Sequence, residues 1–159
     1  MSDEDAKTFS HEQSRALACV LDEIIPPRAD GKLPGAGEIG VEVFVEEALD
    51  KMSFLKDMVA ESLAALDELA RERRGCCFAE VARPERAALL NELANGDHGF
   101  PPVVTLQALA GYYRHPRIVE ALGLEPRPPH PQGYEMGRDD FSLLDPVRAR
   151  KAMYRTGNW

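Results

Sequence analysis

Residues 53–75 read SFLKDMVAESLAALDELARERRG and carry the clearest structural signal in the chain. Apolar residues recur in this segment at the spacing that places side chains on one face of an α-helix. They are Leu55, Met58, Val59, Leu63, Leu66 and Ala70. The segment ends in a run of arginines and Gly75, which suit the negative pole and the cap of a helix C-terminus. We therefore predict a helix in this segment.

Two similar stripes precede it. The first follows the capping box Ser10-His11-Glu12-Gln13 and stops at Pro26-Pro27. The second runs from Val41 to Met52, and the sequence leaves open whether it joins the third stripe or breaks near Ser53.

Three shorter helices are predicted to begin near Pro84, Pro101 and Pro116, since proline suits the first turn of a helix. Their apolar stripes consist of Leu89, Leu90 and Leu93, then Val103, Leu106, Leu109, Ala110 and Tyr113, then Ile118, Val119 and Leu122. No segment shows convincing period-two alternation bounded by turn residues, so the predicted fold class is all-α.

Composition limits the classes of function. The 159 residues are 44% hydrophobic and 29% charged, as in an ordinary globular domain. The net charge of −8 argues against binding to nucleic acid, because that binding depends on neutralising phosphates. No apolar run approaches the ~20 residues needed to span a bilayer, so we expect no direct membrane insertion.

Charge and proline content change along the chain. Residues 1–125 carry 13 basic and 23 acidic side chains, whereas residues 126–159 carry six basic and four acidic ones. Prolines are concentrated at the start of the second part, and that proline-rich stretch should be extended. We predict an acidic tail at 1–9, a helical domain at 10–125, and a proline-rich segment with a C-terminal arm at 126–159. Within the arm, Asp145-Pro146 is typical of a helix start, and that helix is predicted to reach Tyr154.

Gly35-Ala36-Gly37-Glu38-Ile39-Gly40 matches the G-x-G-x-x-G pattern of dinucleotide-binding loops. That chemistry requires a preceding strand, and here a helix, two prolines and a polar loop come first. We interpret the motif as an entry into the second helix and predict no cofactor site in this chain.

Reactive side chains are few. The four histidines show no metal-binding pair spacing, and Cys76-Cys77 lacks the spacing of a zinc or disulfide motif, so no metal site and no catalytic residue is predicted. The cysteines follow a cationic run that is able to lower a thiol pKa. An alternative hypothesis is therefore a stand-alone helical enzyme or ligand carrier that uses Cys76 or Cys77, or the pair His98 and His115.

The segment Gly111-Tyr112-Tyr113-Arg114-His115-Pro116 offers a different kind of signal. Adjacent residues on a helix face different sides, so one tyrosine can pack inward while the other is exposed. The glycine allows close approach of a neighbouring segment. The residues alone leave open whether this segment packs in the core or forms a partner surface.

Taken in order, these pieces resemble the gluconate 2-dehydrogenase subunit 3 family over residues ~10–136, a span that fits a single domain. The matching pieces are Ile24-Ile25-Pro26, Pro34-Gly35-Ala36-Gly37, Ile39-Gly40-Val41 with Phe44, Phe78, Arg86 to Leu93, Gly111-Tyr112-Tyr113 with Pro116, Leu122-Gly123, and Pro131-Gln132-Gly133-Tyr134.

The resemblance implies a non-catalytic small subunit that helps a large FAD-dependent dehydrogenase of the glucose–methanol–choline type to fold, remain stable or be exported. The FAD is expected in that partner, which oxidises sugars or related alcohols. In many such complexes a haem c subunit anchors the assembly and accepts electrons.

The resemblance also sets expectations about compartment and interface. Many relatives carry a twin-arginine export signal and this sequence has none as written, so a cytoplasmic location is expected, or a periplasmic one if a leader is missing or the partner exports the complex. Because Tyr, Trp and Arg are enriched at binding hot spots, we predict a partner interface from the Gly-Tyr-Tyr segment and the arm. Its residues are Gly111, Tyr112, Tyr113, Pro116, Tyr134, Phe141, Arg148, Arg150, Tyr154, Arg155 and Trp159.

Overall fold

Helices joined by short loops make up the computed structural model, which describes residues 9–127, 133, 137 and 140–150. Contacts between residues divide the chain into two compact units, residues 1–126 and residues 127–159. Across the described residues the regular structure consists of α-helices and short 3-10 turns, without a β-strand. The prediction of an all-α fold is confirmed.

The described part of the first unit holds helices α1 to α6. They are α1 His11–Ile24, α2 Val41–Leu49, α3 Ser53–Arg74, α4 Arg83–Ala94, α5 Pro102–Arg114 and α6 Pro116–Ala121. Short 3-10 turns at Gly37–Ile39 and Phe78–Glu80 lie before α2 and α4. In the second unit, a 3-10 turn at Phe141–Leu144 leads directly into α7, Asp145–Arg148.

Local sequence signals account for most helix ends. At the start of α1, the Gln13 amide donates to Ser10 Oγ at 3.2 Å and the Ser10 amide donates to Gln13 Oε1 at 3.0 Å, as the capping box predicts. Gly75 ends α3 with a φ of 76°, a left-handed conformation that favours glycine. Pro84, Pro102 and Pro116 lie in the first turns of α4, α5 and α6.

The second and third apolar stripes form two separate helices. Residues 50–52 separate α2 from α3, and Met52 leaves the helical region with a φ of −135°. The Asp50 carboxylate accepts a hydrogen bond from Lys56 Nζ at 3.0 Å, which ties the connection to the first turn of α3. The chain can therefore change direction at this point.

One hydrophobic core runs through the first unit. Helix α1 contacts α2, α3 and α5, while α2 packs along α5 and α3 packs against α4. The largest side chains with almost no exposed surface are Phe78, Leu17, Leu21, Leu49, Leu63, Leu66, Ile118, Val20, Val45, Val59 and Val104. Most of them belong to the predicted stripes of α1, α2 and α3.

The apolar stripe predicted for α5 is mostly exposed, and of its members only Val103 is partly buried against the core. Leu106 and Tyr113 are 63% and 56% exposed, and Leu109 and Ala110 also face solvent. The buried side instead carries Val104, Ala108, Gly111 and Tyr112. Small residues at two of these positions let α5 approach its neighbours closely, and that packing decides which side is covered.

Two other stripe members also reach solvent. Met58 of α3 is 36% exposed, and Leu122, just after α6, is 49% exposed. Apolar periodicity therefore overstates how much of these helices is buried.

Helix α7 is shorter than predicted. It ends at Arg148, and residues 149 and 150 are not helical. The Arg150 amide donates to Val147 O at 3.1 Å, a three-residue spacing that tightens the last turn and stops the helix. The rest of the predicted helix, to Tyr154, lies outside the described residues.

Candidate functional site

The glycine-rich loop before α2 uses its own amides internally. Asp22 Oδ1, on α1, accepts hydrogen bonds from the Gly37 amide at 2.7 Å and from the Glu38 amide at 3.2 Å. The Gly35 amide donates to Glu38 Oε2 at 3.1 Å. A dinucleotide loop instead offers such amides to a pyrophosphate. Since carboxylates already occupy these donors, this loop fits an internal connection and does not fit a phosphate.

Glycine is required here by the proximity of α1. A Cβ atom on Gly37 would collide with the carbonyl oxygen of Ala18, and one on Gly35 would collide with the carboxylate of Asp22. In a dinucleotide-binding loop, the second glycine makes room for the pyrophosphate. In this chain, the equivalent space is filled by a helix of the same unit.

Asp22 is the residue of this loop structure that the sequence does not reveal. Burial raises the pKa of its carboxyl, although the Gly37 and Glu38 amides act in the opposite direction. The carboxylate lies 15 positions before Gly37 in the chain, beyond the reach of any local capping motif. An acidic residue near the end of α1, followed by a glycine loop, is the only available signal.

The Gly-Tyr-Tyr segment reaches the same loop from α5. Tyr112 is 3% exposed, and its hydroxyl donates a buried hydrogen bond of 2.8 Å to the carbonyl oxygen of Pro34. Gly111 faces α2, where an added Cβ would lie 2.7 Å from Phe44 Cδ1 and 2.9 Å from Val41 Cγ1. Gly111 and Tyr112 are therefore core residues, and our expectation that they contact a partner directly is corrected by their burial.

Tyr113 is the outward-facing member of the pair. Its ring meets the Tyr112 ring edge to face, with centroids 5.3 Å apart and an interplanar angle of 88°. Pro116 is exposed as well. The next residue, Arg114, places its guanidinium 5.0 Å from the centre of the Phe44 ring, at the favourable distance for a cation–π contact. The two residues of the predicted body interface that remain at the surface are Tyr113 and Pro116.

These exposed positions continue along α5 as an uncharged surface. We call this the α5 outer face, and it consists of Thr105, Leu106, Leu109, Ala110 and Tyr113. Every one of these side chains is exposed, and three of them are large and apolar. Contiguous exposed apolar surface marks interaction sites more often than isolated exposed residues do.

The second unit offers another apolar surface. Phe141, Leu143, Leu144 and Val147 are 54%, 80%, 44% and 54% exposed. The turn that holds them is preformed: Asp140 Oδ1 accepts from the Ser142 amide at 3.0 Å, and Arg148 pairs with Asp145 at 3.2 Å.

The remaining predicted arm residues divide into two groups. Arg148 and Arg150 are exposed. Tyr134, Tyr154, Arg155 and Trp159 lie outside the described residues.

A model of the family described as gluconate 2-dehydrogenase subunit 3 matches residues 11–127 of the chain. The chain belongs to the gluconate 2-dehydrogenase subunit 3 family. No curated protein and no solved structure is significantly similar to it.

The family match covers α1 to α6 and contains both pieces of the Pro34–Tyr112 contact. Two of the sequence pieces that carry the resemblance, Pro34-Gly35-Ala36-Gly37 and Gly111-Tyr112-Tyr113, are therefore in contact. In this member of the subunit 3 family they connect α1, the glycine-rich loop, α2 and α5.

The surroundings of Cys77 in this subunit 3 chain do not favour an activated thiol. Cys19, Cys76 and Cys77 are free thiols, each partly buried. Burial raises the pKa of Cys77, and a hydrogen bond to the Glu80 carboxylate raises it further. A raised pKa lowers the thiolate fraction at neutral pH, which opposes nucleophilic attack. The cationic run before Cys77 therefore does not have the effect considered from the sequence.

The histidines of the alternative hypothesis have different surroundings. His98 lines an open depression of about 390 Å³ between α3 and α4, together with Glu68, Glu72, Glu92 and Asp97. His115, which is not among its lining residues, precedes α6 and has a buried Nδ1 atom. The depression is open and carries four carboxylates beside apolar side chains such as Leu69 and Leu93, unlike the enclosed pockets that hold small ligands.

Among the described residues, no group of three or more His, Cys, Asp or Glu side chains is arranged to hold a metal ion. None of the helices in that part of the chain combines the length and apolar character needed to cross a membrane.

Proposed function

We propose that this chain is a non-catalytic small subunit that binds and stabilises, or helps to mature, a large FAD-dependent sugar or alcohol dehydrogenase. Membership of a family of dehydrogenase subunits is the observation that carries this proposal. The FAD belongs to the large partner in this proposal, and this chain contributes binding surface.

The polar groups of the family motifs bind one another inside the unit, which supports an accessory role. An active site usually brings polar groups together so that they point at a pocket where a substrate is held. Here Asp22 is directed at the loop amides, and Tyr112 at the Pro34 carbonyl. The most conspicuous polar groups of the motif region thus satisfy one another inside the unit.

The outer surface supports the same role. The α5 outer face and the apolar side chains of residues 141–147 are exposed on the two units. Interface centres are depleted in charge and enriched in aromatic residues and arginine. These surfaces fit docking to another subunit better than they fit recognition of a small polar substrate.

Binding of this kind stabilises the partner by mass action. A protein that binds only the folded flavoprotein raises its free energy of unfolding by about 2.7 kcal/mol when present at one hundred times the dissociation constant. A small subunit without chemistry of its own is therefore able to determine how much active dehydrogenase accumulates. A haem c subunit, where one is present, would complete the electron path, and the compartment would be that of the assembled complex.

Co-expression with the large FAD-binding subunit of the same genome tests the proposal. We expect the two chains to elute together in size-exclusion chromatography, with a flavin absorbance spectrum in the complex and none in the small chain alone. A chain lacking residues 126–159 should retain its helical circular dichroism and lose co-purification. Substrate turnover by the isolated small chain, or a stoichiometric prosthetic group bound to it, would overturn the proposal.

A further inference from the structure

Helix α5 has an unusual charge composition for this chain. Its 13 residues, PVVTLQALAGYYR, include no acidic residue and a single basic one, Arg114. The whole chain is 29% charged and carries 27 acidic side chains. A solvent-facing helix in such a protein would ordinarily present several charges, so its outer side is not built as an ordinary solvated surface.

Apolar residues occur on two opposite sides of α5. Leu106, Leu109 and Tyr113 fall within an arc of about 60° around the helix axis, at about 100° per residue. The roughly opposite side carries the buried Val104, Ala108 and Tyr112. A helix that is apolar on both sides is typical of one that is covered on both sides. In the first unit only the inner side is covered.

Cations lie at the C-terminal end of this surface. Arg114, in the last turn of α5, and Arg117, in the first turn of α6, are both exposed. The stacking of Arg114 on Phe44 limits the freedom of its guanidinium before any partner binds. The surrounding body is acidic, with 23 acidic and 13 basic side chains in residues 1–125. The partner surface that complements this face is therefore an apolar patch with carboxylates near one end.

We propose that the α5 outer face is the surface by which the helical unit docks on an apolar patch, bordered by carboxylates, of the large dehydrogenase subunit. This inference rests on the proposed function and adds to it the contact surface of the helical unit. Leu106, Leu109 and Tyr113 form the dry centre of the contact. Arg114 and Arg117 pair with the carboxylates of the partner.

Charge argues against a second copy of this chain as the occupant. In a symmetric dimer that joined this face to itself, α5 of one copy would lie against α5 of the other. Because α5 contains no carboxylate, that helix would offer Arg114 no opposite charge. A different subunit with acidic residues around an apolar patch would complement both the apolar centre of the face and its basic end.

The test measures the affinity of the full-length chain for the purified large FAD-dependent subunit by isothermal titration calorimetry. The double variant Leu106→Glu, Tyr113→Glu places two negative charges on the face at positions that are already exposed, so the fold should persist. We expect its dissociation constant to rise at least about 30-fold, since disrupted hot spots cost that much or more. Circular dichroism and the thermal midpoint verify that the variant is folded.

The matched control is Phe54→Glu, at an apolar position of α3 that is 74% exposed. We expect this variant to bind within about threefold of the unchanged chain, because single exposed apolar residues contribute little away from an interface. In addition, the variant Arg114→Gln, Arg117→Gln should bind more weakly and show a smaller loss of affinity with added salt.

The possible outcomes separate the two proposals. If the unchanged chain binds and the double variant binds equally well, the assignment of this face is overturned and the proposed function stands. If the unchanged chain does not bind the large subunit, both fall. If the isolated chain is a dimer that the double variant converts to a monomer, the occupant is a second copy and the assignment is overturned.

Discussion

The hydroxyl of Tyr112 donates a hydrogen bond of 2.8 Å to the carbonyl oxygen of Pro34, a residue 78 positions earlier in the chain. This bond is buried and joins α5 to the loop that follows α1. Both residues belong to segments that carry the family resemblance. Their contact gives these two segments, which are far apart in the sequence, a shared structural role in the folded unit.

Removal of this hydroxyl should destabilise the first unit. In Tyr112→Phe, the ring still fills its place but the buried Pro34 carbonyl loses its donor. We expect the free energy of unfolding to fall by about 1–3 kcal/mol, the cost of an unsatisfied buried acceptor. Urea denaturation followed by circular dichroism measures the change. Tyr113→Phe is the control, because that ring is 56% exposed, and an equal loss there would contradict the assignment.

Close packing at Gly111 leads to a second prediction. Alanine has the higher helix propensity, yet in Gly111→Ala the new methyl would lie 2.7 Å from Phe44 Cδ1 and 2.9 Å from Val41 Cγ1. Overpacking should win and lower the free energy of unfolding by about 1–3 kcal/mol. The control is Gly96→Ala, whose methyl would have its nearest neighbour, Leu93 O, at 3.5 Å. A Gly111→Ala variant more stable than the unchanged chain would contradict this prediction, because α2 would then move aside without loss of stability.

Sequence reasoning succeeds where the determinants are local. The Ser10–Gln13 capping box and the first-turn prolines each act within a few residues, so the helix starts are predictable. The buried side of α5 is not predictable in this way, since its apolar and small residues occur all round the helix. The choice between sides depends on Gly111 facing α2 and on Tyr112 reaching Pro34, both long-range contacts.

The same distinction applies to the candidate site. The sequence identifies the Gly-Tyr-Tyr segment as informative and requires its two tyrosines to differ, and Tyr113 is the exposed one. It does not identify Asp22, whose carboxylate meets the loop amides only after α1 and the loop fold together. The outer face of α5 carries most of the apolar stripe seen in the sequence, and apolar character alone does not distinguish a core face from a docking face.

The Glu42 carboxyl should make stability depend on pH. Burial raises its pKa above the ordinary value of 4.5, the charges of Glu46 and Asp22 raise it further, and its own backbone amide acts in the opposite direction. The folded chain thus binds this proton more tightly than the unfolded chain does, and the stability this provides is lost as pH rises through the raised pKa. Glu42→Gln, which cannot ionise, should therefore be more stable than the unchanged chain at pH 7.

Urea denaturation between pH 4 and pH 8 measures this difference. The gain from Glu42→Gln should shrink as the pH falls through the raised pKa of Glu42, because the carboxyl then takes up its proton in the folded chain. Glu47→Gln, at an exposed position of the same helix, serves as the control and should show no such trend. If the stability gained by Glu42→Gln instead grew as the pH fell, the pKa of Glu42 would not be raised in the folded chain, and this prediction would be wrong.

The reactivity of Cys77 tests the alternative of a cysteine enzyme. Burial and the Glu80 carboxylate raise the pKa of this thiol, so its alkylation by iodoacetamide at pH 7 should be slower than that of free cysteine. In a chain whose other two cysteines are serine, Glu80→Gln should accelerate the reaction because it removes the negative charge. Glu72→Gln is the control for a change of charge elsewhere. Alkylation faster than free cysteine would revive the enzyme hypothesis.

The apolar turn at residues 141–147 supplies the last prediction, on the second unit. Residues three apart in a 3-10 turn lie on the same face, so Phe141 and Leu144 share one side and Leu143 occupies another. If the arm binds the large subunit through that side, the variant Phe141→Ala, Leu144→Ala should weaken binding at least about tenfold, while Leu143→Ala changes it little. Leu143 is the more exposed residue, at 80% against 54% for Phe141, so a purely nonspecific apolar attraction predicts the opposite ranking. Calorimetric titration of both variants with the large subunit therefore separates docking through one side of the turn from general stickiness.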